Sequence, residues 1–93
     1  MNLKQSKGKV PLDMGSHYVF VDFPSLEDFC NLYNNYTRPE KRVMYWHMMK
    51  DRMTGMTLKE VGQLHGLTRE RVRAVEAKFM RLMRLKHFSE SLA

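Results

Sequence analysis

Residues 57–84 read TLKEVGQLHGLTRERVRAVEAKFMRLMR and carry two helix starts and one helix stop in close succession. Thr57 precedes the first apolar residue and Glu60 follows three positions later, the spacing of a capping box. Val61 and Leu64 give this first helix an inner stripe, and Gly62 is small where a second helix has to pass closely. Gly66 can adopt the positive φ that ends a helix, and Leu67 anchors the turn behind it. Thr68 is a second N-cap, after which no Gly or Pro occurs until at least Phe88. The spacing predicts two helices joined by a tight turn, the second longer than the first, which is a helix-turn-helix.

At about 100° per residue, the second helix separates into two faces. Val72, Val75, Phe79, Leu82 and Met83 fall together and must meet a core. Glu70, Arg73, Ala74, Ala77, Arg81 and Arg84 fall opposite, with Arg69 at the edge. Seven Lys/Arg and two acids between Thr68 and Phe88 give a formal charge of +5 on one helix, the electrostatic footprint of a phosphate binder. A basic stretch alone is equally well a solvated helix face. The two caps, the Gly66 turn and the separated faces favour a helix that enters a DNA major groove, where Ala74 and Ala77 let the backbone approach the groove floor.

These residues resemble region 4 of bacterial sigma factors of the sigma-70 family. The resemblance rests on Thr57-Leu58-x-Glu60-Val61-Gly62, on Thr68-Arg69-Glu70-Arg71-Val72-Arg73-x-x-Glu76-Ala77-Lys78, and on the separation of the two blocks. Upstream, Pro39-Glu40-Lys41-Arg42-Val43-Met44 looks like the preceding helix of that region, and the pattern runs along residues 39–88 without a gap. It implies a reader of the −35 promoter element that also docks on RNA polymerase. By matching position, Arg69 would donate to a guanine, Glu70 would accept from a cytosine amino group, and Arg73 and Ala74 would complete the base-reading face. The N-terminus formed by Thr57 and Leu58 would hold a phosphate through backbone N–H groups, with Thr68, Arg71, Arg81 and Arg84 as further phosphate contacts. Lys78 and Arg81, with Arg84, match positions where sigma factors meet activators. Met44, Met48 and Met49 would line the groove that grips the flap of the polymerase β subunit, although core filling is the ordinary role of methionine.

The departures from the family pattern also carry information. Ala74 stands where the family has a base-reading Gln, and loss of a bidentate amide changes discrimination by roughly 1–3 kcal/mol at one base pair. Tyr45-Trp46-His47-Met48-Met49 is more apolar than the basic stretch the family has there. His65 takes an apolar position and is expected to be half-buried with a satisfied hydrogen bond rather than a ligand.

Charge divides the rest of the chain. Residues 1–9 hold Lys4, Lys7 and Lys9 and no acid, the composition of a flexible basic arm. Residues 10–37 hold no Lys or Arg, against Asp13, Asp22, Glu27 and Asp28; residues 38–93 hold the basic reader. Within the acidic module, His17 to Phe23 reads as an extended segment or strand. A lone strand has to lie against the helices, dimerise, or join a partner's sheet edge. Leu26, Phe29, Cys30, Tyr33 and Tyr36 make the apolar stripe of a helix over 26–36, which serves core completion ahead of partner binding. Further helices are expected over 38–51, 58–65 and 69 to about 87. The fold class is therefore all-α, a small helical domain with a C-terminal helix-turn-helix and one short N-terminal strand or extended segment.

No catalytic or metal-binding pattern is present. The histidines at 17, 47, 65 and 87 are scattered without ligand spacing, and Cys30 has no local cation to activate it. The expectation is a non-enzyme without cofactors. A single cysteine suits a reducing cytoplasm, and no apolar run approaches the length of a membrane span. The expected partners are double-stranded promoter DNA, RNA polymerase and an activator, with the chain a monomer or weak dimer. Two other functions fit the sequence. One is a sigma mimic that acts by protein contact alone; the other is a dimeric repressor using the N-terminal strand and helix as its interface.

Overall fold

A two-residue periodicity in the segment KVPLD places Val10 and Leu12 on one face, and both are fully buried. This is strand β1 (Lys9–Asp13), and it pairs antiparallel with β2 (Tyr18–Asp22) in a two-stranded sheet. The computed structural model describes residues 8–34 and 37–92. In the hairpin register Lys9 faces Asp22, Pro11 faces Phe20 and Asp13 faces Tyr18. Lys9 and Asp22 form an ion pair. The Asp13 carboxylate accepts from the Gly15 amide at 2.9 Å, and Gly15 takes a positive φ of 93°. The extended segment expected over 17–23 is thus a paired strand, and the fold is not purely all-α. Its partner strand begins at Lys9, inside the arm expected over 1–9; residues 1–7 of that arm lie outside the described residues.

Four helices follow among the described residues. Ser25 caps α1 (Leu26–Leu32), accepting from the Asp28 amide at 3.1 Å. This helix is shorter than the expected 26–36. Its C-cap is Tyr33, whose amide donates to the Phe29 and Cys30 carbonyls at 3.3 and 3.2 Å, and the Asn34 amide donates to the Asn31 carbonyl at 3.3 Å. Phe29 and Tyr33 are buried as its apolar stripe predicts, Cys30 is half-buried, and Leu26 is exposed; Tyr36 lies outside the described residues. Helix α2 (Pro39–Met53) starts with proline in its first turn, where the missing N–H costs nothing. Helix α3 (Leu58–His65) and helix α4 (Arg69–Leu92) complete the chain, and α4 runs past the expected end because neither Gly nor Pro interrupts it.

The core joins both halves of the chain. Val10, Leu12, Phe29 and Tyr33 share one buried cluster with Met48, Met49, Val61, Val72 and Phe79. Phe79 of α4 lies 5.4 Å from the Phe29 ring and 5.8 Å from Phe23, while Trp46 donates to the Pro24 carbonyl at 3.0 Å. Side chains from either side of the 37/38 boundary therefore pack in a single interior. A forked ion pair adds a second tie between helices: Arg52 of α2 meets Glu76 of α4 at 2.8 and 3.4 Å. Arg52 also donates to the Met56 carbonyl, which holds the loop that leads into α3.

Candidate nucleic-acid interface

The helix-turn-helix forms as its caps require. Thr57 accepts from the Glu60 amide at 3.1 Å, and the Glu60 carboxylate accepts from the Thr57 amide at 2.8 Å. Hydrogen bonds from Thr57, its backbone amide first and its side chain second, hold the exposed Glu60 carboxyl below its ordinary range. The box thereby consumes the Thr57 N–H expected to hold a phosphate. Outside the box, the amides of Leu58 and Lys59 are the orphan donors of the first turn, and Lys59 brings a cation to the same end.

Gly66 ends α3 with φ 70°. Gly62 has a different neighbour from the one its sequence position indicates. A Cβ there would lie 2.6 Å from the carbonyl oxygen of Leu67, so its small size makes room for the turn itself rather than for a second helix. Leu64, expected in the inner stripe of α3, is 63% exposed, whereas Val61 is fully buried. Gly62→Ala gains about 1 kcal/mol of helix propensity. The clash is with backbone, which cannot rotate away, and overpacking of this kind costs about 1–3 kcal/mol. The expected result is net destabilisation, read as a lower urea midpoint; an unchanged or higher midpoint would show that the turn has room.

Thr68 caps α4 by accepting from the Arg71 amide at 3.1 Å. Behind the helix, Val72, Val75, Phe79, Leu82 and Met83 are all buried, as its periodicity requires. In front, Arg69, Glu70, Arg73, Ala74, Ala77 and Arg81 are exposed, and Arg84 is half-buried. Among the described residues Arg69, Glu70, Arg73, Arg81 and Arg84 form no ion pair, so their charged ends are available to a ligand. Arg71 is differently placed. Its guanidinium donates to the Tyr45 hydroxyl at 2.7 Å and lies 5.9 Å from that ring. Tyr45 and Arg71 are 26 positions apart, and no local pattern connects them.

Met48 and Met49 are fully buried in one cluster with Val10, Leu12, Phe29 and Tyr33, and Met44 is half-buried. Two of the three methionines expected to line a groove therefore lie in the shared core. Lys78 is half-buried beside Arg71, and Arg81 lies near Asp13 and Met14 of the hairpin. His65 is half-buried as expected. The hydrogen bond expected of it is not made: Nε2 lies 3.6 Å from the Asp51 carboxylate and has no hydrogen-bond partner among the described residues. Among the described residues no cluster of His, Cys, Asp and Glu could hold a metal ion, and no helix is long and apolar enough to cross a membrane.

Against known protein families, the model described as Sigma-70, region 4 matches residues 39–85. That span contains α2, α3, the turn after it and α4 as far as Leu85, with the exposed arginines of α4. Neither the curated proteins nor the solved structures yielded a match.

Proposed function

The chain belongs to the sigma-70 region 4 family and carries its DNA-binding helix-turn-helix, and from that premise we propose that it reads a −35-like promoter element in the major groove. One observation carries the reading. Arg69, Glu70 and Arg73 stand exposed and outside any ion pair on the first turns of a capped helix whose back is locked into the core. Arg69 is matched to the O6 and N7 acceptors of a guanine, and Glu70 to a cytosine amino group. The Leu58 and Lys59 amides at the start of α3 face a phosphate, and Arg81 and Arg84 add charge farther along α4. Ala74 offers a methyl group in place of an amide, which relaxes discrimination at one base pair.

Docking on RNA polymerase is the second half of the proposal. With Met48 and Met49 in the core, the surface open to the β-flap is exposed Val43 with half-buried Met44. Available arginines on α4 favour DNA reading over a mimic that acts only by protein contact.

Titration of −35-containing and scrambled duplexes at two salt concentrations, with and without the β-flap, tests this. Arg69→Ala is expected to cost roughly 1–3 kcal/mol on the cognate duplex, about 5- to 150-fold in affinity, and to relax specificity at that position. Glu70→Ala changes base preference more than affinity. Arg84→Ala weakens all sequences alike and lowers the salt slope by about one. Binding that is equal on both duplexes and unaffected by Arg69→Ala would sink the promoter-reading proposal.

A further inference from the structure

The hairpin has two outer edges, and they differ. The Met14 amide donates to the His17 carbonyl at 2.9 Å across the Gly15-Ser16 turn, which makes Met14 and His17 a hydrogen-bonded pair. Bonded and non-bonded pairs alternate along an antiparallel ladder. Leu12 with Val19 and Val10 with Val21 are therefore bonded pairs, and Pro11 stands opposite Phe20 at a non-bonded position. The backbone amides and carbonyls of Tyr18, Phe20 and Asp22 then point away from β1. Among the described residues no other group bonds them. Strand β1 packs on α4, and no helix packs comparably on β2. Lys9 and Pro11, which has no amide to offer, guard the outer edge of β1, the usual protection of an exposed strand. Strand β2 reads YVFVD, β-branched and aromatic residues without proline or lysine.

The sequence of β2 is complementary to itself. Antiparallel pairing of two copies about Phe20 sets Phe20 against its own counterpart, Val19 against Val21 and Tyr18 against Asp22. This register pairs the whole strand and bonds every amide and carbonyl that the hairpin leaves outward. On the outer face, exposed Phe20 gains an aromatic neighbour, and each Tyr18 sits across from an acid, so the acids do not oppose one another. On the inner face, Val19 and Val21 are only half-buried beside fully buried Val10 and Leu12, and each gains a valine. We propose that the chain forms a two-fold dimer through β2, a four-stranded sheet in the order β1-β2-β2-β1. Its outer edges are then the two β1 edges guarded by Pro11, so the assembly closes at two copies. A strand edge this short buries less than the about 800 Å² per partner of a standard interface, so association is weak and concentration-dependent. The strand lies outside residues 39–85 and its pairing needs no DNA, so the inference stands apart from the promoter reading.

Sedimentation equilibrium of the full chain without DNA, with amide hydrogen exchange at low and high protein concentration, tests this. The apparent mass is expected to rise reversibly from one chain to two. The Tyr18, Phe20 and Asp22 amides gain protection with concentration, whereas Val19 and Val21, bonded to β1, keep theirs throughout. Phe20→Lys and Phe20→Glu each set like charges against one another and raise the dissociation constant by more than about tenfold. An equimolar mixture of the two associates again, because position 20 meets position 20 of the other copy. If the charged variants lose their far-UV circular dichroism, Phe20→Pro carries the test: it removes an outward amide and no bond to β1, and it abolishes the dimer. A chain that stays monomeric at millimolar concentration overturns the proposal. So does protection of Tyr18, Phe20 and Asp22 that is already complete at low concentration, which assigns the edge to another segment of the same chain. Dimers that survive Phe20→Lys, or that leave those amides unprotected, place the contact elsewhere and overturn it too. Growth beyond two copies overturns the closed pairing.

Discussion

Phe79→Ala is expected to lower the stability of the whole domain by about 3–5 kcal/mol, the range for truncating a buried aromatic ring. Phe79 is fully buried, and its ring meets Phe29 of α1 at 5.4 Å and Phe23 at 5.8 Å. Removal leaves a cavity between three segments that cannot all collapse into it. A small domain is stable by only about 5–15 kcal/mol, so this one change removes a large share. Urea denaturation followed by far-UV circular dichroism measures it, and Phe79→Leu should lose less because more of the volume stays filled. A loss below about 1 kcal/mol would show that the ring is not the junction of α1, α4 and the hairpin exit.

Leu12→Ala is the second large effect, expected at about 2–5 kcal/mol. Leu12 lies on β1, outside residues 39–85, and is fully buried with Val10 in the same cluster as Met48, Met49 and Phe79. If the hairpin is a structural part of the helical domain, one cooperative transition shifts as a whole. A helical transition that keeps its midpoint, preceded by a separate minor one, would show an appendage that folds apart from the helices. The outcome bears on the helical domain because Val10 and Leu12 share its buried cluster with Met48 and Met49. Among the described residues the hairpin leaves Tyr18 and Phe20 on its outer surface.

Much of the helix-turn-helix was legible. Thr57, Glu60, Gly66 and Thr68 act over three or four positions, and side chains that close in sequence meet whatever the rest of the chain does. The faces of α4 follow from the helical repeat, which is why Val72, Val75, Phe79, Leu82 and Met83 were assignable to the core. The first strand was not legible. It carries Pro11, which cannot donate to a ladder and argues against a strand, and its first residue, Lys9, belongs by charge to the preceding arm. Leu64 misled because an apolar side chain at a plausible helical spacing need not be covered when the helix is only eight residues long.

What the sequence determined alone is a capped, turned and two-faced pair of helices with a basic front, because caps, positive-φ glycines and helical periodicity are local properties. Tertiary structure decided everything that needed two distant segments to meet. It paired Lys9–Asp13 with Tyr18–Asp22, buried Met48 and Met49 in one cluster with Val10 and Leu12, joined Arg52 to Glu76 across 24 positions, and set Arg71 against Tyr45 across 26. Contacts at such separations depend on loop closure and on which apolar faces bury each other, and no short-range pattern encodes either.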